Sequence, residues 1–281
     1  MNESFMKRCI DLALNGTGQT YPNPMVGAVV VSEGKIIGEG YHRRAGEPHA
    51  EVHAVNSVKD KSLLRKSTLY INLEPCCHSG KTPQCTDLIL TNKIPRVVMG
   101  AIDTSSKING KGIRILREGG CEVITGLLEA ECRFLNRRFF TFHEKKRPYI
   151  ILKWAQTSDG FIDSERKTGE MPVWITNQLA KMLVHKWRSE ESAIMVGSNT
   201  IMRDNPRLTV REWTGRQPVR IIFDRMLELP ANLNVFDRQT PAIVFTLKQA
   251  ASSANLEYIT ISNEKNYIES ILEELYRREL L

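Results

Sequence analysis

The tripeptide His49-Ala50-Glu51, the run Leu73-Glu74-Pro75-Cys76 and the later Cys85 constrain this chain more than any other feature. One imidazole and two thiolates are donors that zinc takes up in a tetrahedron, and a catalytic zinc keeps its fourth position for water. With His49, Cys76 and Cys85 as ligands, the fold must bring together segments 76 − 49 = 27 and 85 − 76 = 9 positions apart. Glu51, two residues from a ligand, has no use at a purely structural zinc site. It is expected to shuttle protons between water and a bound substrate without ligating the metal.

A His-x-Glu followed by Pro-Cys and a further Cys resembles the signature of zinc-dependent nucleobase deaminases. The nine-position spacing of the cysteines is longer than the short form of that signature, and Cys77 and His78 fall inside it as rival donors. Cys76 is preferred because it directly follows Pro75, and His78 is expected on the substrate side or in the loop. The long form Leu-Glu-Pro-Cys-Cys-His-Ser-Gly-Lys-Thr-Pro-Gln-Cys occurs here with Tyr21-Pro22-Asn23-Pro24-Met25-Val26-Gly27 and Gly46-Glu47-Pro48-His49-Ala50-Glu51. Together they closely resemble the bifunctional deaminase/reductase family of riboflavin biosynthesis. That resemblance implies zinc-dependent deamination of 2,5-diamino-6-ribosylamino-4(3H)-pyrimidinone 5′-phosphate, then NADPH-dependent reduction of the ribosyl side chain. It also implies that Asn23 touches the base, in keeping with an amide that offers one donor and one acceptor to a pyrimidine edge. His42 and Lys81 flank the metal motifs and are expected as further substrate contacts, Lys81 as a point charge for the phosphate.

A length of 281 residues holds two ordinary domains, and 41% hydrophobic with 25% charged residues describes a soluble globular protein. No apolar run approaches membrane-spanning length, and the N-terminus lacks a signal-peptide layout. Six cysteines in a chain of this length are no disulfide scaffold, so a reducing cytoplasm is expected. The net charge of +7 suits a phosphorylated small substrate and an anionic cofactor. No Lys/Arg run is interleaved with aromatics as a nucleic-acid stacking platform requires, so nucleic acid is not the expected partner.

Residues 1–146 read as one domain. Helical spacing covers 3–15, a hairpin covers 26–31 and 35–41, and helix and strand then alternate: helices at 49–57, 83–91, 112–118 and 127–143, strands at 67–73, 96–102 and 121–125. This predicts a three-layer α/β/α sandwich, cytidine-deaminase-like by the resemblance, with Cys76 just past a strand end and Cys85 in the first turn of the next helix. Relatives usually carry Asp-Pro-Asn-Pro before a Gly-x-Gly. This chain has Asp103-Thr104-Ser105-Ser106-Lys107-Ile108-Asn109 before Gly110-Lys111-Gly112, so the loop is expected to differ in shape.

Residues 147–281 read as a second α/β domain. Strands are expected at 149–155, 192–196, 219–223, 242–246 and 256–261, and helices at 177–188 and 265–281. Arg147-Pro148-Tyr149, Asp159-Gly160, Trp174-Ile175-Thr176 and Asp204-Asn205-Pro206-Arg207-Leu208-Thr209-Val210-Arg211 resemble the reductase half of the same family, which is dihydrofolate-reductase-like. The resemblance implies NADPH contacts at Ala155, Trp174, Thr200 and Asp204. It implies substrate contacts at Arg188, Leu208 and Arg211, with Lys153 lining the pocket, and homo-oligomers formed through this half. Two arginines suit bidentate capture of a phosphate. The chain stops after an amphipathic helix, where the family continues into a strand and a Glu-Gly-Gly loop. The second domain is therefore expected to be incomplete, with weak or absent reductase activity. Two rival functions remain at this stage: a nucleic-acid base deaminase, and a non-catalytic zinc-stabilised binding protein.

Overall fold

The sheet that carries the metal motifs begins with a hairpin whose turn the sequence dictates. In this computed structural model, which describes residues 2–77, 84–165, 170, 173–262 and 266–281, strands β1 (Gly27–Ser32) and β2 (Lys35–Tyr41) are joined by Glu33 and Gly34. Both turn residues have positive φ, 50° and 74°, as a two-residue turn matched to strand twist requires. The chain divides into two units, Met1–Tyr149 and Ile150–Leu280.

In the first unit, helix α1 (Glu3–Leu14) precedes the hairpin and α2 (Ala50–Ser57) follows it. Then come β3 (Thr68–Leu73), α3 (Cys85–Thr91), β4 (Arg96–Ala101), α4 (Lys111–Glu118), β5 (Glu122–Ile124), α5 (Glu129–Leu135) and α6 (Arg137–Lys145). The strand order is β2-β1-β3-β4-β5, with β1 antiparallel to both neighbours and β3, β4 and β5 parallel. Period-two alternation divides the core. Ala28, Val30, Leu69, Ile71, Val97 and Met99 pack with residues of α2, α3 and α4 on one face. Val29, Val31, Tyr70 and Val98 pack with Met6 and Cys9 of α1, Cys132 of α5 and Phe139 and Phe140 of α6 on the other. The expected three-layer sandwich is thus present.

Glycine sets the seat of α2. A Cβ on Gly40 would lie 2.4 Å from the Ala54 nitrogen, and one on Gly38 would lie 2.5 Å from the Ala54 carbonyl oxygen. The helix therefore rests directly on the β2 backbone, which fixes its N-terminus and with it His49. The single helix expected over 127–143 is two helices. Asn136 lies between them at φ −98°, ψ 28°, and its buried amide bonds to another segment instead of facing solvent.

In the second unit, α7 (Gln178–Glu190), β6 (Ala193–Gly197), α8 (Ser198–Asp204), β7 (Val219–Phe223), β8 (Ala242–Thr246), β9 (Leu256–Thr260) and α9 (Tyr267–Arg277) form an α/β arrangement. The sheet order is β6-β7-β8-β9, all parallel. Ile222, Ala242, Val244 and Leu256 pack with Ile201, Leu208 and Val235. Arg220, fully buried on β7, donates to Asp237 at 2.7 Å and to the Val235 carbonyl at 3.1 Å. The strand expected at 149–155 is absent. Its residues pair with no strand among the described residues, and Ile150, Ile151 and Leu152 are exposed. An apolar run becomes a strand only where a ladder partner accepts its backbone groups.

Candidate active site

The three donors converge. His49 is the N-cap residue of α2, in extended conformation, and its side chain does not cap the helix. Cys76 lies three residues past the end of β3, and Cys85 opens α3. His49 Nδ1 is 3.4 Å from Cys76 Sγ and 3.3 Å from Cys85 Sγ. The three donor atoms all lie within 4.8 Å of one another. A zinc with bonds of about 2.0 Å to nitrogen and 2.3 Å to sulfur has N···S tetrahedral edges of about 3.5 Å, so this donor set fits the ion. The α3 backbone adds support: Cys85 N–H donates to Cys76 Sγ at 3.4 Å, and Thr86 N–H donates to the Cys76 carbonyl at 3.2 Å. Hydrogen bonds from Cys85 and then from His49 lower the pKa of the Cys76 thiol, toward the thiolate form that a metal needs.

Glu51, in the first turn of α2, is 2% exposed. Burial, with the Cys76 sulfur adding to it, pushes its carboxyl up to about 7. A group with that value near neutral pH both takes and returns a proton. The geometry brings the three expected donors together, with one buried carboxyl beside them.

Asn23 is held by a chain of polar contacts. Its Nδ2 is 3.2 Å from His42 Nε2, and His42 Nδ1 is 3.2 Å from the Pro48 carbonyl oxygen. A carbonyl only accepts, so Nδ1 carries the hydrogen and Nε2 accepts from Asn23. Burial lowers the pKa of His42, which suits the neutral ring. His42, expected as a substrate contact, is engaged here within the protein. The side chain is buried, both nitrogens are engaged, and its ring stands edge-on against His49 at 5.2 Å. It positions Asn23 and the metal ligand. Lys81 and His78 lie outside the described residues.

The sequence reading missed two asparagines. Asn136 Oδ1 accepts from the Met25 N–H at 2.8 Å, and its Nδ2 donates to the Met25 carbonyl at 2.9 Å. Asn72, fully buried on β3, accepts from Gly27 N–H at 2.8 Å and donates to the same Met25 carbonyl at 3.0 Å. Together they fix the loop that carries Asn23. The signal for Asn72 was a polar residue inside the buried run Leu69-Tyr70-Ile71-Asn72-Leu73. Ile108 was also missed, and it packs on the two ligand cysteines.

In the second unit, Arg188 and Arg211 are brought together. The Arg188 guanidinium donates to the Thr209 carbonyl at 2.7 Å, and the Arg211 guanidinium reaches Thr209 Oγ1 at 3.0 Å. Burial, and then the Arg211 charge, lowers the pKa of Arg188. Among the described residues neither arginine has an ion-pair partner. Arg211 N–H donates to His185 Nδ1 at 3.1 Å. Thr200 and Asp204 lie on α8, directly after the C-terminal end of β6, where open α/β sheets hold ligands. Trp174 is exposed, with the Lys181 ammonium 3.6 Å from its ring centre. Lys153 is exposed and Ala155 half-buried, both on the unpaired stretch. The Leu208 side chain belongs to the core of this unit with Ile201 and Ile222.

A three-layer sandwich whose β3 end and two helix starts hold a His/Cys/Cys set beside a buried glutamate defines a zinc-dependent, cytidine-deaminase-like domain, here followed by a second α/β unit. Residues 1–101 match the family described as cytidine and deoxycytidylate deaminase zinc-binding region, and residues 148–281 match the RibD C-terminal domain. The chain belongs to the RibD family. It is 46% identical to the riboflavin biosynthesis protein RibD of Aquifex aeolicus over 92% of this chain and 71% of that one. It is 37% identical to that of Synechocystis, over 100% of this chain and 76% of that one. A diaminohydroxyphosphoribosylaminopyrimidine deaminase/5-amino-6-(5-phosphoribosylamino)uracil reductase from Thermotoga maritima is similar in structure, with a TM-score of 0.88 and 44% identity, covering 99% of this chain and 78% of that one. Acinetobacter baumannii RibD gives 0.85 and 31%, covering 98% and 77%. No helix among the described residues is long and apolar enough to cross a membrane.

Proposed function

We propose that residues 1–146 deaminate 2,5-diamino-6-ribosylamino-4(3H)-pyrimidinone 5′-phosphate with release of ammonia, and that residues 147–281 reduce the ribosyl side chain of the product with NADPH. The observation that carries the first reading is the convergence of His49 Nδ1 and the Cys76 and Cys85 sulfurs beside the buried Glu51. Zinc, when bound by these three donors, lowers the pKa of a water at its open position to about 7. Glu51 would take one proton of the attacking water and pass it to the ring nitrogen, then carry the second, from the added hydroxyl, to the amino group, which leaves as ammonia while the ring carbon keeps the oxygen as a carbonyl. Asn23, its amide fixed by His42, meets the base edge. The Arg188–Arg211 pair is proposed to hold the substrate phosphate in the second half, and Trp174, Ala155, Thr200 and Asp204 to contact NADPH. The reading favours a phosphorylated small molecule over nucleic acid, a cytoplasmic setting that suits six free cysteines, and association through the second half.

Glu51→Gln keeps the size of the side chain and removes its proton chemistry. Ammonia release is expected to fall at least about a thousandfold, in the range for loss of a general acid–base group, with zinc content near one per chain. Retained turnover removes Glu51 from the mechanism. Release from RNA exceeding that from the free nucleotide overturns the substrate. NADPH oxidation by the chain supplied with the deaminated product tests the second activity. No oxidation above background would overturn the second reading.

A further inference from the structure

Glu74 directly precedes Pro75-Cys76 and takes no part in the proton chemistry. It is 3% exposed. Its Oε2 accepts from the backbone N–H of Asp103 at 3.2 Å and of Gly110 at 3.0 Å, and its Oε1 accepts from Ile113 N–H at 3.3 Å. One carboxylate thus pins both ends of the 103–110 loop and the first turn of α4. Two glycines let α4 come this close. Gly110 is the N-cap residue in left-handed conformation, φ 81°, which suits glycine. A Cβ on Gly112 would lie 2.6 Å from the Pro75 carbonyl oxygen and 3.1 Å from Glu74 Oε1. The loop closes on itself through Ile108 N–H to the Ser105 carbonyl at 3.1 Å and Lys111 N–H to the Ile108 carbonyl at 3.0 Å. Its apolar tip, Ile108, lies on Cys76 and Cys85 with 8% exposure.

We infer that Glu74, closed in by Gly110 and Gly112, is a positioning residue of the metal centre: it sets the Pro75–Cys76 turn and seats Ile108 over the two ligand sulfurs. This rests on the zinc-deaminase reading. An apolar cover keeps water from the sulfurs and strengthens the Cys85 N–H···S bond beneath it, and groups behind the ligands tune a metal nearly as strongly as the ligands do. The approach of α4 to Pro75 requires glycine at position 112.

The test uses the full-length, metal-loaded chain with Glu74→Gln and, separately, Gly112→Ala. Glutamine keeps the volume but turns one acceptor into an NH2 group facing a backbone N–H. Three quantities are read: zinc affinity by chelator competition, the visible absorption of the cobalt-substituted protein, and kcat and KM for ammonia release. Both variants are expected to bind zinc about 10- to 100-fold more weakly, to shift the cobalt bands, and to lose kcat with KM within about twofold. Wild-type zinc affinity and cobalt spectrum in both variants, whatever their melting temperatures, would reduce Glu74 to a fold-stabilising residue and overturn the inference. A parent chain that binds zinc but releases no ammonia would instead overturn the deaminase reading, with affinity and spectrum still deciding the clamp.

Discussion

Replacing Asn136 with alanine tests how firmly the substrate loop must be held. The substitution strips the Met25 N–H of its 2.8 Å acceptor and removes one of two donors from the Met25 carbonyl; the Asn72 bond at 3.0 Å remains. An orphaned buried N–H costs about 1–3 kcal/mol, and a lost second bond to a carbonyl about 1. Met25 is only part-buried, so water recovers some of this. The net loss is about 2 kcal/mol, or about 4–8 °C in the melting of a unit of this size. Asn23 lies two residues upstream, so KM for the diaminopyrimidine nucleotide is expected to rise several-fold while zinc content stays constant. Asn136→Asp keeps the acceptor but sets a carboxylate oxygen against the Met25 carbonyl, and should recover about half of the melting loss. Calorimetry of the zinc-loaded protein and steady-state kinetics give both numbers. Melting within about 1 °C of wild type with an unchanged KM would refute the claim that this amide holds the loop.

Two further outcomes are expected. Cys85→Ser exchanges a thiolate for a hydroxyl that zinc binds poorly, so metal analysis should find well under half an ion per chain, and addition of excess chelator should no longer change the melting of the first unit. Asp237→Asn leaves Arg220 buried without its anion; Asp237 is a quarter exposed, so the cost is put at about 2 kcal/mol. The Arg220 hydrogen bond holds the Asp237 carboxyl below its ordinary value of 3.8. A depressed carboxylate contributes stability above that value and loses it as pH falls through its lower, folded value. Wild type and variant should therefore differ in melting at neutral pH and converge well below 3.8; a constant gap at all pH values would refute the ion pair as its source.

The donor set was legible because zinc chemistry admits few residue types, and His-x-Glu with Pro-Cys leaves little choice. The sandwich was legible because Val29 and Val30 must face opposite layers and Glu33-Gly34 permits only a tight turn. Cys85 could be assigned by pattern, but its N–H support to Cys76 depends on how α3 starts, which spacing does not encode. Asn136 was hidden inside a helical periodicity, and its role depends on Met25, 111 positions away. The burial of His42 was not legible, because nearness to a motif does not tell a buried ring from an exposed one. The core packing of Leu208 was not legible either, because a motif residue can serve the core as well. The run 149–155 has strand composition, and composition says nothing about whether a neighbouring edge exists.

The metal's donors all sit on the side of the sheet covered by α2, α3 and α4, whereas α1, α5 and α6 bury their own cluster on the other side. Zinc therefore acts as a rivet through one cover, tying the start of α2 to the start of α3 across the end of β3. Breathing of the apoprotein should be lopsided. Amide protons of α2 and α3 would exchange with solvent through local openings, while those of α1 and the central strands would wait for global unfolding. Glu51, the proposed acid–base group, lies on that cover, so removal of zinc is expected to loosen it together with α2.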